Sequence, residues 1–280
     1  SRQSRGLGDV YKRQMQLGGG CGSGTLFTAG SGNIKMVITL IFFIIGSLIG
    51  SYHFEFWANL PSFKPVSLLN IFSKINTILI QLSALGLIYY LISKMEFNRN
   101  NKINHNDIIS NPSHSLIRGP WPLLWGSISL VFFSFLMLQV AGHPWSVTFA
   151  FGLWGAKIAS FLGVEVSSWT YWQLEYPSTA LENSVLADPT TVSNIGIILG
   201  ALIGSALSGK ITKFTSVNKK LVLAAVIGGL FMGYGARLAF GCNIGALFGG
   251  IASGSLHGWV WFLFAFLGSI VGVKFRKYFY

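Results

Sequence analysis

Residues 221–254 read LVLAAVIGGLFMGYGARLAFGCNIGALFGGIASG, a long apolar run joined to a shorter one that glycines interrupt. About 20 apolar residues cross the hydrocarbon core of a bilayer, so Leu221–Ala239 is long enough to span it. Phe240–Gly254 is too short to span comfortably, and it carries a cysteine, Cys242, directly after a glycine. The stretch therefore predicts a membrane helix that leads into a half-membrane segment.

The composition of the whole chain supports a lipid environment. Of the 280 residues, 10% are charged and 51% are hydrophobic, against about 25% charged in ordinary soluble domains. The net charge of +12 could indicate nucleic acid binding, but the basic residues lie in short stretches between apolar segments. That distribution favours the positive-inside orientation of a membrane protein, with lipid and no nucleic acid as its partner.

Six stretches in total are long and apolar enough to span, and three are short or broken. The predicted spans are Met36–Phe56, Ser67–Ile92, Trp121–Val140, Val192–Ser208, Leu221–Ala239 and Gly258–Lys274. The short segments are Leu17–Gly30, His143–Leu162 and Phe240–Gly254. The second of them follows a Gly-His-Pro sequence, which cannot continue a helix smoothly.

The charges of the loops decide how the short segments lie. Basic residues gather near 94–118, 210–220 and 274–277, whereas Gly163–Thr190 holds four acidic residues and neither lysine nor arginine. All three basic regions fall on the cytoplasmic side only when His143–Leu162 dips into the membrane and returns. The sequence therefore predicts an all-α integral membrane protein with about six spanning helices and three re-entrant half-helices.

Two of the short segments are copies of one another. Residues 20–27 (GCGSGTLF) align with residues 241–248 (GCNIGALF), and the topology gives the two copies opposite orientations. Such inverted repeats build transporter sites at mid-membrane from broken helices. We expect inverted repeats at roughly 15–92 and 121–280 within a membrane domain at 15–280. Residues 1–14 resemble an adapter-derived leader, and we expect a native N-terminal part to be missing.

The shared motif points to a site for a small sulfur-containing anion. Free N–H groups at a helix N-terminus favour an anion, flanking glycines allow close approach to the backbone, and a thiol is a soft, polarizable group. The candidate binding residues are Cys21, Gly20, Ser23, Gly24, Cys242, Gly241, Asn243 and Gly245. For a single membrane cysteine, packing is the more common role. Two cysteines in matching repeats favour function.

Two cations inside apolar segments are further candidates. Arg237 either snorkels toward the interface or pairs with a substrate anion, and Lys157 raises the same alternatives with a slight preference for function. Cys21 and Cys242 lie too far apart in the chain to form a metal signature. We expect no metal and no cofactor.

Four stretches taken together resemble the YeeE/YedE sulfur-transport family: GGCGSGTL at 19–26, HPWSVT at 143–148, LWGAK at 153–157 and GARLAFGCNIG at 235–245. The resemblance covers nearly everything from Met15 onward. It implies a non-enzymatic, multi-pass protein of the bacterial inner membrane that takes up thiosulfate along cysteine thiols, with Cys21 and Cys242 as the central pair. It also implies a TusA-like sulfur carrier as a partner on the cytoplasmic side. The family's thiosulfate importers have a further cysteine that nothing here matches.

Two alternatives remain open from the sequence. Within transport, the substrate could be another sulfur species, such as sulfite or a persulfide-like ion. In a different class, the protein could be a membrane thiol oxidoreductase that cycles Cys21 and Cys242 through a disulfide. The absence of a CxxC motif in the sequence disfavours the second alternative.

Overall fold

The computed structural model describes residues 18–61, 65–100, 123–209, 218–276 and 278–279. Within those ranges the chain is helical, apart from turns and one isolated antiparallel bridge between Ser67 and Ser255. The α-helices, numbered in chain order, are α1 Gly22–Gly30, α2 Ile34–Tyr52, α3 Phe54–Ala58, α4 Leu68–Ile71, α5 Lys74–Asn100, α6 Leu123–Ala141, α7 Thr148–Phe161, α8 Glu175–Glu182, α9 Pro189–Leu207, α10 Lys219–Leu238, α11 Gly249–Ala252 and α12 Leu256–Arg276.

The six predicted spans are confirmed as helices. Among the described residues, α2, α5, α6, α9, α10 and α12 are long and apolar enough to cross a membrane. The prediction Ser67–Ile92 differs most from the structure, because Leu68–Ile71 forms a separate turn and the long helix begins at Lys74. Met36–Phe56 was also too long, since α2 ends at Tyr52 and α3 follows it as a separate short helix.

The three predicted half-membrane segments contain only short helices. The longest, α7, has 14 residues, or about 21 Å at 1.5 Å per residue, less than the hydrocarbon core of about 30 Å. Re-entrant insertion and the inverted repeat stay predictions. The leader at 1–14 and the basic residues Lys102, Arg118, Lys210 and Lys213 lie outside the described residues.

Glycines bring α2 and α10 into backbone contact. A Cβ atom on Gly46 would clash with the carbonyl oxygen of Leu230, and one on Gly233 would clash with that of Phe43. A Cβ on Gly229 would lie 2.6 Å from the carbonyl oxygen of Thr39. Small residues at such positions let membrane helices pack closely, where dispersion replaces the hydrophobic effect as the main attraction.

The short helices pack around this pair. Helix α1 lies against α9, where a Cβ on Gly30 would be 2.6 Å from the carbonyl oxygen of Ile198. Helix α7 lies against α2, with Gly155 next to the backbone of Ile44. One buried cluster joins α1, α2, α7 and the second cysteine motif: Leu26, Phe43, Val147, Phe151 and Cys242. The fold therefore brings both cysteine motifs to the same interior region.

Candidate functional site

Cys21 lies at the N-terminus of α1 and caps it. The N–H of Gly24 donates to the sulfur of Cys21 at 3.4 Å, and the hydroxyl of Ser23 lies 3.2 Å from the same sulfur. Gly19, two residues earlier, has a φ of +93°, a conformation that favours glycine. The chain thus turns sharply and starts a helix at the thiol.

Cys242 lies in an equivalent turn after α10. Gly241 has a φ of +154°, and a Cβ atom there would lie 2.7 Å from the N–H nitrogen of Ala246. The thiol of Cys242 is only 4% exposed and faces the N–H groups of Ile244 and Gly245, although neither completes the cap bond that Cys21 has. The side-chain oxygen of Asn243 is buried without a hydrogen-bond partner among the described residues.

The two motifs meet in the interior. A Cβ atom on Gly22, the residue after Cys21, would lie 3.6 Å from the sulfur of Cys242. Gly22 and Cys242 also line one cavity of about 170 Å³, together with Met232, Ala236 and Trp261. We call it the Cys242 cavity. Both cysteines are free thiols.

A second cavity of about 300 Å³ lies on the other side of Ala236, and we call it the Arg237 cavity. Its wall is largely aromatic and hydroxyl-bearing, and it includes His143, Ser146, Tyr171, Tyr176, Thr190, Arg237 and Phe240. Ala236 borders both cavities. The two spaces are therefore neighbours, separated by the end of α10 and the turn that leads to Cys242.

Arg237 is a buried cation held by neutral groups. Its guanidinium donates to the Ser47 hydroxyl at 2.9 Å, to the Tyr171 hydroxyl, and to the carbonyl oxygen of Thr148 at 3.3 Å. The side chain is 5% exposed, so it does not snorkel to the interface. Among the described residues no carboxylate forms an ion pair with it. The cavity wall therefore carries a positive charge to which no described carboxylate is bound, and desolvated charge of this kind attracts an anion.

The phenol of Tyr176 also lies at the wall of the Arg237 cavity. The hydroxyl of Tyr176 donates to the carboxylate of Asp188 at 3.0 Å, and Asp188 also accepts from the N–H of Thr191 at 2.8 Å. Burial, and then the nearby negative charge of Asp188, raise the pKa of Tyr176 well above its usual range. Tyr176 therefore stays protonated, and Asp188 is committed to the first turn of α9.

Lys157 lies apart from both cysteines. Its ammonium donates to the carbonyl oxygen of Asn183 at 2.8 Å and to that of Leu181. Leu181 is in the last turn of α8 and Asn183 follows its last residue, where a cation stabilises carbonyl groups that lack intrahelical partners. Lys157 lines neither cavity. Of the two sequence candidates, the structure brings Arg237 to a cavity beside the cysteine motif and gives Lys157 a capping contact.

Several residues around Arg237 were not singled out from the sequence. Ser47 and Tyr171 hold the guanidinium, and Tyr176 and Thr190 line the cavity. They lie on α2 and on the acidic segment 163–190, and no spacing pattern connects them to Arg237. The signal available in the sequence was Ser47, a polar residue within an apolar helix. Polar groups within membrane helices have partners, so Ser47 could have been expected to bind another polar group.

These features define a multi-pass membrane protein in which two glycine–cysteine motifs converge beside a cavity that contains a buried cation. The family model for sulphur transport matches residues 14–271, so the chain belongs to the sulphur transport family. The YeeE/YedE resemblance seen in the sequence is thereby confirmed.

Individual relatives agree with this assignment. The chain is 31% identical over 136 residues to the probable transporter YedE of Escherichia coli strain K12, an alignment that covers 49% of this chain and 33% of the relative. It is 38% identical over 85 residues to the thiosulfate transporter TsuA of Spirochaeta thermophila, covering 30% of this chain and 26% of the relative. The matches thus span about a third of these proteins or less. None of them supports the alternative of a thiol oxidoreductase.

Proposed function

We propose that the protein imports thiosulfate, or a closely related sulfur-containing anion, across the bacterial inner membrane. The anion is passed between the thiols of Cys21 and Cys242 without a covalent step, so the protein acts as a transporter and not as an enzyme. A TusA-like carrier on the cytoplasmic side is a fitting acceptor for the sulfur. The similarity to the thiosulfate transporter TsuA supports this substrate.

The observation that carries the proposal is the convergence of the two motifs. Gly22 places no side chain between Cys242 and the start of α1, so the sulfur of Cys242 lies next to the backbone that Cys21 caps. A thiol is a weak S–H donor and a soft partner for a terminal sulfur atom. The thiols of Cys21 and Cys242 lie at the N-termini of two neighbouring helical segments, so the same anion can contact one and then the other.

The Arg237 cavity supplies the approach to this pair. Its charge is fixed by neutral hydroxyl and carbonyl groups, which leaves the field of the guanidinium available to a dianion. Under the predicted topology this cavity opens to the outside, because His143 and Tyr176 belong to segments expected there. The cation attracts the anion, and the thiols then provide a softer, neutral path onward.

Uptake of labelled thiosulfate by cells that express the protein tests the relay. Cys21→Ser and Cys242→Ser each replace a soft sulfur with a harder, strongly hydrated oxygen, and we expect each change to abolish uptake while membrane insertion stays intact. Ala206→Ser, which adds a hydroxyl on an exposed turn of α9, is the matched control. Full uptake by a Cys242→Ala protein would refute the relay. Competition by unlabelled sulfite decides between the two sulfur substrates.

A further inference from the structure

The backbone between the two cavities is strained. Phe240 has a φ of +54° and is the one non-glycine residue with a positive φ in the part of the chain that the structure describes. For a residue with a Cβ atom, this left-handed conformation is unfavourable, and a bulky side chain adopts it rarely. Such outliers persist only where the surrounding structure holds them, and they are common at functional sites.

The two copies of the cysteine motif differ in their hydrogen bonds after this point. In both copies an N–H donates four residues back to the cysteine carbonyl, from Thr25 to Cys21 at 2.7 Å and from Ala246 to Cys242 at 2.8 Å. The carbonyl of Cys242 also accepts from Leu247, five residues on, at 3.3 Å. Residues Asn243–Phe248 therefore form a π-helical turn, whereas the matching residues belong to the α-helix α1.

The strained segment separates the two cavities. Phe240 is 67% exposed and lines the Arg237 cavity, while Gly241 and Cys242 line the Cys242 cavity. Cys242 itself is buried and does not line the Arg237 cavity. In this state an anion beside Arg237 cannot touch the second thiol.

We propose that residues 240–248 are a two-state gate. In the described state, the left-handed Phe240 and the π turn close Cys242 off from the Arg237 cavity. In the other state, the turn takes the α-helical bonding already present after Cys21, Phe240 leaves the left-handed region, and the thiol faces the Arg237 cavity. The carbonyl of Cys242 holds both kinds of bond at once, so little has to break. The inference rests on the proposed function, because a relay requires that the second thiol be reached from outside.

A matched pair of substitutions at residue 240 isolates the strain. Phe240→Ala and Phe240→Gly both remove the ring, but only glycine adopts a positive φ without a Cβ penalty. Glycine therefore favours the closed state relative to alanine. In a Cys21→Ser background, where Cys242 is the only cysteine, a membrane-impermeant thiol reagent added outside should label the glycine variant roughly tenfold more slowly.

The control is Ala239→Gly, which adds flexibility next to the gate at a residue whose φ is −84°. It should label at the rate of the Cys21→Ser parent. Equal rates for the two Phe240 variants, or faster labelling of the glycine variant, would overturn the gate. Labelling needs no transport. If the variants label as expected while the protein with both cysteines takes up no thiosulfate, the proposed function is refuted and the gate stands.

A second measurement needs no change at residue 240. Amide hydrogen exchange reports opening of individual N–H groups. The N–H of Leu247 must leave the carbonyl of Cys242 before it bonds to that of Asn243 in the α form. We expect residues 246–248 to exchange about tenfold faster than residues 25–27, their copies in α1. Equal protection of the two segments would contradict a mobile turn even where the variants fail to fold.

Discussion

Replacing Arg237 with glutamine should raise the apparent KM for thiosulfate by about 30-fold or more. A dianion 5 Å from the guanidinium gains about 7 kcal/mol of Coulomb energy at an effective dielectric constant of about 20, before dehydration is subtracted. Truncating one partner of a buried, hydrogen-bonded charge pair costs about 2–5 kcal/mol. The lower figure corresponds to roughly 30-fold in affinity.

The structure supports a large effect because the partners that hold the guanidinium are neutral. Ser47 and Tyr171 accept its hydrogen bonds, whereas the carboxylate of Asp188 is bound to Tyr176 and Thr191. Glutamine keeps a hydrogen-bonding group but removes the charge. The maximal rate should change less than the KM, since the thiols remain in place.

The assay is the initial rate of labelled thiosulfate uptake as a function of concentration, normalised to protein in the membrane. Lys157→Gln is the matched control, because its ammonium is bound to the carbonyls of Leu181 and Asn183 and lines neither cavity. It should leave the KM within about twofold. An unchanged KM in the Arg237→Gln protein, or equal effects of the two changes, would refute an anion site at Arg237.

Three further outcomes can be measured. Gly233→Leu should prevent stable folding or lower the melting temperature in detergent strongly, because its side chain would meet a backbone carbonyl of α2, whereas Gly200→Leu on open space should have little effect. Gly22→Val should abolish uptake without loss of the protein from the membrane, since its methyl groups would fill the gap beside the second cysteine. Single cysteines at Ser167 and Met95, in a cysteine-free background, should react with impermeant reagents from opposite sides; labelling of both from one side would contradict the predicted topology.

The spans were predictable because their cause is local. A run of apolar residues is itself the reason for helix formation in lipid, where each backbone group needs a partner within the segment. The predicted first and last residues of the helices were less accurate where a polar capping residue or a break in the helix sets the boundary. Ser67 caps the short helix α4, and the separate helix at Lys74 was not visible as a second start.

The cysteine motifs were predictable because they repeat, but their surroundings were not. The match of residues 20–27 to residues 241–248 indicated that both thiols belong to one site. No such pattern connects Arg237 to Tyr171, or Lys157 to Asn183, since these contacts depend on how distant segments pack. The π turn was also missed, because the two copies share five of eight residues and nothing in the three differences indicates a change of backbone bonding.

The backbone contact between α2 and α10 has a mechanical consequence. At Gly46 and Gly233 the opposing atoms are backbone carbonyls, which no change of side-chain rotamer can move aside. The two helices therefore form one rigid unit, because neither can slide or rotate against the other without losing these backbone contacts. Movement of the chain is easiest beyond the ends of the two helices. The turn at Phe240 lies just past the end of α10. A small change of backbone angle there can move the thiol of Cys242 while α2 and α10 keep their positions.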